Sequence, residues 1–170
     1  MDLKSIIRTF PDYPAKGIMF RDITTLLKDP KALAYAMDKM EEALKGLDFD
    51  LIVAPESRGF IFGVPLAVKL GKGFVPARKK GKLPGHVTSG EYALEYGTDI
   101  IEIHTDAIEK GQKIVLIDDL LATGGTAKCI CDIVAGLGGE VVCNLFLIEL
   151  EGLGGREALK GMDTKSILSY

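Results

Sequence analysis

The first third of the chain combines helical spacing of apolar residues with one punctuated stretch. Apolar residues recur at helical spacing over residues 1–10, which predicts a short opening helix that a proline ends. Residues 11–27 are interrupted by Pro and Gly and predict an extended loop. Asp29 is a good N-cap with Pro30 at the first helical position, so a second helix is predicted to run to Gly46.

The middle of the chain alternates short apolar runs with a helix-length segment. LIVAPES at 51–57 and GFVPARK at 73–79 have the length of buried strands, and they enclose a predicted helix at 59–70. Residues 80–91 show no periodicity and predict a long mobile loop. Two β-like segments joined by GTD follow, and this short turn predicts an antiparallel flap.

The last third contains the strongest strand pattern, KIVLIDD at 113–119. A helix is predicted over 126–137, closed by two glycines, and a long strand over 140–150. Strands that alternate with helices of this length form crossover units around a mainly parallel sheet. We therefore expect an α/β fold in one domain, residues 1–170, with helices flanking a twisted, mainly parallel sheet.

Composition and charge narrow the class of protein. The chain has 170 residues, 47% of them hydrophobic, and a net charge of −3, which argues against general nucleic-acid binding. No apolar run approaches the roughly 20 residues that span a bilayer, and the N-terminus does not resemble a signal peptide. Three cysteines without CxxC spacing predict buried thiols, neither a disulfide framework nor a zinc site. We expect a cytoplasmic protein that binds no nucleic acid and no membrane.

The candidate site is IDDLLATGGT at 117–126, between the strongest strand and a helix. In open parallel sheets, ligands bind outside the carboxyl ends of the strands. The first N–H groups of a helix lack partners and favour an anion. Gly124 and Gly125 let the backbone approach a ligand closely, and the hydroxyls of Thr123 and Thr126 can donate hydrogen bonds. The predicted occupant is a phosphate.

Asp118 and Asp119 need a different partner, because a carboxylate is repelled by a phosphate. Carboxylates accept hydrogen bonds from the vicinal hydroxyls of a ribose or from waters around Mg²⁺, so the ligand described is a ribose 5-phosphate. Taken singly, the glycine loop is as well explained as a plain helix start, and the two acids as solvated. Together, in a strand–loop–helix context, they are more specific. Neither a Walker loop nor a dinucleotide fingerprint occurs in the chain.

The segment VLIDDLLATGGT resembles the phosphoribosyl-diphosphate binding motif of type I phosphoribosyltransferases. Three more segments resemble the family members that use adenine: GIMFRDIT at 17–24, ESRGFIFG at 56–63, and RKKGKLPG at 78–85 leading to LEYG at 94–97. The resemblance covers nearly the whole chain in the expected order. It implies a small hood and a flexible flap beside the sheet, and it implies a reaction. Ribose 5-phosphate would pass from phosphoribosyl diphosphate to N9 of adenine, giving AMP and diphosphate in purine salvage, with Mg²⁺ as cofactor.

The resemblance also implies roles for the phosphate-binding residues. Asp118 and Asp119 would hold the ribose hydroxyls, and the 5-phosphate would lie in the loop formed by Ala122, Thr123, Gly124, Gly125 and Thr126. The departing diphosphate would be bound by Ser57, Arg58, Arg78, Lys79 and Lys82, because cations stabilise the negative charge that develops on it. Mg²⁺ would be held mainly by the diphosphate and waters, without direct protein ligands. A cis peptide is implied at Glu56–Ser57 or Ser57–Arg58. Without the resemblance, the lysines would be interpreted as a solvated basic loop.

For the base, the resemblance implies recognition by main-chain groups near Met19 and Arg21, with Phe20 and Leu153 as apolar neighbours. An N–H facing N1 and a C=O facing the 6-amino group suit adenine, whereas hypoxanthine presents the reverse pattern. Taken alone, Phe20 is more simply a core residue.

The flap from about residue 82 to residue 96 would close over the site and exclude water. Glu95 would act near adenine N7 with Tyr96 as its neighbour, and these two residues join Arg58 as the catalytic candidates. From the sequence alone, Glu95 is equally well explained as an exposed hairpin residue. The resemblance implies a homodimer as well. Two alternatives stay open: a regulator that senses phosphoribosyl diphosphate, which would normally add a basic DNA-binding domain, and a sister transferase for another base.

Overall fold

The computed structural model describes residues 1–93 and 97–170. Within these ranges the chain forms nine strands and five helices. The strands are β1 (Arg8–Pro11), β2 (Met19–Asp22), β3 (Leu51–Pro55), β4 (Gly73–Lys79), β5 (Val87–Ala93), β6 (Thr98–His104), β7 (Lys113–Leu121), β8 (Glu140–Glu149) and β9 (Thr164–Ser169). The helices are α1 (Thr24–Leu27), α2 (Pro30–Leu44), α3 (Arg58–Leu70), α4 (Gly125–Gly136) and α5 (Gly155–Ala158). No described helix is long and apolar enough to cross a membrane.

The main sheet has the strand order β5-β6-β4-β3-β7-β8-β9 in the described part of the chain. The run β4-β3-β7-β8-β9 is parallel, and the hairpin β5-β6 joins β4 antiparallel. Side chains along β7 alternate between the two faces of the sheet: Val115 and Ile117 face a core shared with α2 and α3, whereas Ile114 and Leu116 face a core shared with α4. Because both faces are covered, β7 is apolar from Ile114 to Ile117, and the predicted mainly parallel α/β fold with an antiparallel flap is confirmed.

Most predicted crossover elements are confirmed within one or two residues. Asp29 caps α2, since its carboxylate accepts from the N–H groups of Lys31 and Ala32. Strand β7 runs two residues past the predicted end, to Leu121, and α4 begins one residue early at Gly125. The three cysteines are buried and unpaired, as predicted.

The helix predicted over residues 1–10 is wrong. Residues 8–11 form β1, which pairs antiparallel with β2, so the loop predicted over 11–27 also contains regular structure. Arg8 Nε and Nη2 both donate to Asp22 Oδ2, at 3.1 and 2.5 Å, across the two strands. Pairing with a segment fourteen residues away therefore overrides the local helical spacing.

Two other parts of the chain differ from the sequence-based expectation. The loop predicted over 80–91 ends at residue 86, because β5 begins at Val87, and its remaining part is tied to β6 by the Gly81 N–H, which donates to Glu102 Oε2 at 2.9 Å. Sequence reasoning also missed β9, which extends the sheet parallel to β8, and the short helix α5.

Candidate active site

The candidate site lies where β3, β4 and β7 end, at the carboxyl edge of the parallel strands. Three adjoining cavities open there, and Arg58 and Thr126 line all three of them. We name them by their lining and by the group predicted to bind there. The phosphate cavity is lined by residues 118–127, the cationic cavity by Ser57 and Lys79, and the apolar cavity by Met19, Phe20 and Leu153. Because the three share walls, ligand groups of three different chemistries can lie next to one another there.

The phosphate cavity has a volume of about 210 Å³. Its wall contains both aspartates and the whole predicted loop: Asp118, Asp119, Ala122, Thr123, Gly124, Gly125 and Thr126. Gly124 has a φ of 82° and precedes α4, so the loop turns in a conformation that side chains rarely adopt. The N-terminus of α4 then supplies backbone N–H groups and a favourable dipole for an anion.

The two aspartates have different partners. Asp119 Oδ2 lies 2.7 Å from Arg58 Nε, whereas Asp118 Oδ1 accepts from the Asp119 N–H at 2.8 Å. Burial raises the pKa of Asp118 well above its ordinary value, and the neighbouring Asp119 charge adds to that shift. Burial also raises the pKa of Asp119, although Arg58 opposes it. The pair is therefore poised to accept hydrogen bonds from a bound polyol, which would repay its desolvation.

The cationic cavity, of about 390 Å³, lies on the other side of Arg58. Its wall includes Ser57, Arg58 and Lys79 together with Glu56 and Tyr92. The Glu56–Ser57 peptide is cis, at the first of the two positions that the resemblance implied. Two cations beside a cavity of this size are suited to a diphosphate.

Glu56 holds the backbone and one arginine beside this cavity. Burial favours its neutral form, but the Lys79 N–H at 2.7 Å and Arg78 Nη2 at 3.3 Å outweigh that effect and hold the pKa of Glu56 below its ordinary value. Arg78 Nη1 also donates to the Lys82 carbonyl at 3.3 Å. Lys79 lines the cationic cavity, whereas Arg78 and Lys82 are not among the described residues of its wall. The structure therefore brings together part of the predicted cation set, and it ties Arg78 to protein acceptors.

The apolar cavity is the largest, at about 580 Å³. All four residues predicted for the base line it: Met19, Phe20, Arg21 and Leu153. Met19 and Leu153 are 48% and 51% exposed, which leaves their apolar surface free for a ligand. The Arg21 side chain is held by protein partners, because its guanidinium stacks on the Tyr170 ring at 4.0 Å and its Nη1 donates to Thr9 Oγ1 at 2.6 Å.

Sequence reasoning missed three residues of the site. Tyr92 lines both the cationic and the apolar cavity, Asp99 forms an ion pair with Lys79 at 3.0 Å, and Tyr170 closes the apolar cavity. The alternation of the hairpin strands offered a signal for the first two, because Tyr92 and Asp99 lie directly opposite each other. The predicted catalytic residues Glu95 and Tyr96 lie outside the described residues.

Comparison with known proteins agrees with the family resemblance of the sequence motifs, and it covers nearly the whole chain. A model of the phosphoribosyl transferase domain family matches residues 22–157. The adenine phosphoribosyltransferase of Lachnoclostridium phytofermentans is 58% identical over 168 residues, which cover 99% of this chain and 97% of that protein.

Solved structures agree with the sequence comparison. The crystal structure of the adenine phosphoribosyltransferase from Thermoanaerobacter pseudethanolicus has a TM-score of 0.97 at 54% identity, with 99% of this chain and 98% of that chain covered. The enzyme of Saccharomyces cerevisiae, solved with an imino-altritol bisphosphate and adenine, has a TM-score of 0.92 at 38% identity, with 98% and 97% covered. The chain belongs to the phosphoribosyl transferase family and, within it, to the adenine phosphoribosyltransferases.

Proposed function

We propose that this chain transfers the 5-phosphoribosyl group of phosphoribosyl diphosphate to N9 of adenine, giving AMP and diphosphate in purine salvage. The observation that carries this proposal is the set of three adjoining cavities with Arg58 and Thr126 in common walls. One cavity suits a phosphate, one a diphosphate and one a flat apolar base. Family membership supports the same reaction, and the yeast relative was solved with adenine.

The 5-phosphate would bind the N–H groups and hydroxyls of Ala122, Thr123, Gly124, Gly125 and Thr126. The ribose hydroxyls would donate to Asp118 and Asp119, whose raised pKa values reflect the cost of burying their charges. Binding the sugar phosphate at these two places fixes C1 between the cationic and apolar cavities. Much of the catalytic benefit then comes from orienting the two reacting groups.

The diphosphate would occupy the cationic cavity beside Ser57, Arg58 and Lys79. When the C1 bond breaks, negative charge grows on the diphosphate, and fixed cations stabilise that charge more in the transition state than in the ground state. Arg58 would then give up part of its interaction with Asp119 and bind a diphosphate oxygen. Arg78 and Lys82 would contribute at longer range from the rim.

Mg²⁺ fits this donor set as an ion carried by the substrate. Among the described residues there is no group of three or more His, Cys, Asp or Glu side chains that could hold a metal by itself. Mg²⁺ keeps several waters and binds through phosphate oxygens and one or two carboxylates, and Asp118 and Asp119 offer carboxylate oxygens to those waters. The bound ion would supply additional charge neutralisation at the diphosphate.

Adenine would lie in the apolar cavity between Phe20 and Leu153, with main-chain groups near Met19 and Arg21 reading its edge. A C=O that accepts from the 6-amino group would be left unpaired by hypoxanthine, which makes discrimination strong. Glu95, with its neighbour Tyr96, would act near N7 of the base, where its carboxylate would accept the N7 proton as N9 of that adenine tautomer bonds to C1. The flap would close over the reacting atoms and exclude water.

We also propose a homodimeric, cytoplasmic enzyme. Helix α3 exposes Ile61, Val64 and Val68 at helical spacing, and Val68 is 78% exposed, so a second copy of the chain would bury this stripe. The three free, buried thiols are compatible with a reducing compartment. Light scattering on the wild type and on Val68→Glu tests the dimer, with a monomer expected only for the variant.

The reaction is tested by incubating the purified protein with phosphoribosyl diphosphate, Mg²⁺ and equal amounts of adenine, hypoxanthine and guanine. Chromatography should show AMP and one equivalent of diphosphate, with IMP and GMP below about one part in a hundred. Equal use of hypoxanthine would overturn the base assignment. Absence of any nucleotide product would overturn the proposed function as a whole.

A further inference from the structure

The structure places a tyrosine that the proposed reaction does not use between the phosphate loop and the cationic cavity. Tyr92 lies in β5 directly opposite Asp99 in β6, so both side chains lie on one face of the hairpin. Its ring lines the cationic cavity. A Cβ built on Gly125 would lie 3.6 Å from Tyr92 Cδ2, so the ring packs on the phosphate loop.

The Tyr92 hydroxyl is the first member of a short polar chain that ends at a cation of the site. Tyr92 Oη donates to Asp99 Oδ2 at 3.3 Å, and Lys79 Nζ lies 3.0 Å from the same oxygen. The second Asp99 oxygen accepts from the Ile100 N–H at 2.9 Å. The Asp99 carboxylate thus has three partners, and two of them, Tyr92 and Ile100, belong to the hairpin.

Exposure shows which member of the ion pair is fixed. The Asp99 side chain is 23% exposed, whereas the Lys79 side chain is 58% exposed and lines the cationic cavity. A lysine on an exposed edge has many rotamers, and ordering it on ligand binding costs free energy. A lysine already held by a fixed carboxylate has lost most of that freedom before the ligand arrives.

We propose that Tyr92 and Asp99 are positioning residues that hold Lys79 at the cationic cavity, ready for the diphosphate of phosphoribosyl diphosphate. This inference rests on the proposed function, because it assumes that a diphosphate binds beside Lys79. It differs from a direct role in the reaction: Tyr92 and Asp99 act through the lysine, so they affect binding of the diphosphate group far more than binding of the base.

The positioning role of Tyr92 and Asp99 is tested by calorimetric titration of the whole protein chain with phosphoribosyl diphosphate and with inorganic diphosphate, each with Mg²⁺. We expect Asp99→Asn to raise both Kd values about three- to five-fold, which is the range that one partly exposed ion pair supplies. Tyr92→Phe should raise them about two-fold, because it removes the hydroxyl that donates to Asp99 and keeps the ring. The KM for adenine should stay within about two-fold. Asp48→Asn, which breaks the exposed Lys113–Asp48 pair of 2.8 Å, is the matched control and should change neither Kd.

A double variant separates positioning from a general effect on the fold. In a Lys79→Met background, Asp99→Asn should have almost no further effect on either Kd, because its route to the ligand is gone. A further loss of the full size in that background would overturn the inference. Tighter binding by Asp99→Asn would overturn it as well, since Asp99 would then compete with the ligand for Lys79. If the wild type binds phosphoribosyl diphosphate but forms no AMP, the proposed function fails while the positioning chain still stands.

Discussion

The phosphate cavity and the apolar cavity are neighbours, yet they are built from different kinds of sequence. The phosphate cavity is lined largely by one continuous stretch from Asp118 to Ala127. The apolar cavity combines four residues of that stretch with Gly17–Arg21, Leu150, Glu151, Leu153 and Tyr170, which are far apart along the chain. A contiguous loop has its geometry set by the strand before it and the helix after it, whereas a cavity of distant segments exists only once the tertiary structure has formed.

The two cavities also differ in what they contribute to stability. The phosphate side buries the carboxylates of Asp118 and Asp119, whose pKa values are raised because desolvation disfavours their charges. The apolar side leaves half-exposed Met19 and Leu153, which cost little in the free protein. Substitutions in the phosphate cavity and in the apolar cavity should therefore differ in which substrate they affect and in how they change the stability of the protein.

The largest separation is expected from Asp119→Asn. The substitution removes the ion pair with Arg58 Nε at 2.7 Å and turns an acceptor toward the ribose into a partial donor. We expect kcat/KM for phosphoribosyl diphosphate to fall about 100-fold, with the KM for adenine within about two-fold. Steady-state kinetics measure both, with Asp38→Asn on the exposed face of α2 as the control. A comparable rise in the KM for adenine would show that the two cavities do not act separately.

Two glycines with nearly the same backbone sharpen the comparison on the phosphate side. Gly124 and Gly154 precede helices with φ of 82° and 83°. A Cβ on Gly124 would lie 2.8 Å from Ala158 Cβ, whereas a Cβ on Gly154 would have nothing within 4 Å. Both Ala variants should lose about 1 kcal/mol of stability from backbone strain, and Gly124→Ala should lose more, because its Cβ would also overlap Ala158 Cβ. Only Gly124→Ala should also raise the KM for phosphoribosyl diphosphate, by about ten-fold.

Thermal melting measures the stability of the two glycine variants, and steady-state kinetics measure their KM for phosphoribosyl diphosphate. A larger loss of stability and a kinetic effect in Gly124→Ala alone would support a loop whose shape is set by its contact with α5. A similar kinetic loss in Gly154→Ala would instead mean that any strain near α5 reaches the ligand.

The contrast also explains what could be predicted from the sequence. The strand–loop–helix context of residues 117–126 was predicted correctly because strand, paired acids, glycines and helix start occur within ten residues, at a place where the parallel topology directs ligands. The crossover strands and helices were also predicted, because their apolar runs reflect burial on both faces. In these regions local pattern and tertiary environment agree.

The failures come from regions where distant contacts decide. Leu3 and Ile7 are buried at helical spacing, but they belong to a turn and to the residues before β1, whose partner β2 lies a dozen residues on. Strand β9 follows a glycine-rich stretch and all its residues are only partly buried, so its pattern carries little alternation. The Tyr92–Asp99–Lys79 chain depends on hairpin register, which the sequence alone did not settle.

On the apolar side, Leu153→Ala should have a moderate effect restricted to the base. Leu153 is 51% exposed in the free protein, so a bound base would cover surface that the substitution removes. At about 25 cal/mol per Å², the lost contact corresponds to a rise of about three- to five-fold in the KM for adenine. Phosphoribosyl diphosphate binding, followed by calorimetry, should be unchanged. Leu153→Met keeps an apolar side chain of similar volume and should behave as the wild type.

The smallest effect, and one with the opposite sign, is expected for the stability of Asp118→Asn. The folded-state pKa of Asp118 is raised by burial and by Asp119, so the folded protein binds this proton more tightly than the unfolded chain does. Below the unfolded pKa, near 3.9, the carboxyl is neutral in both states and costs nothing. As the pH rises through the interval up to the folded pKa, the wild type loses stability that the amide keeps. The Tm of Asp118→Asn should therefore exceed that of the wild type by about 2 to 4 °C at pH 8, and the gain should vanish toward pH 4. Thermal melts across this range check the prediction, and Asp106→Asn at an exposed position controls for the loss of one negative charge. A gain that does not depend on pH would mean that packing, and not the charge of the phosphate cavity, limits stability there.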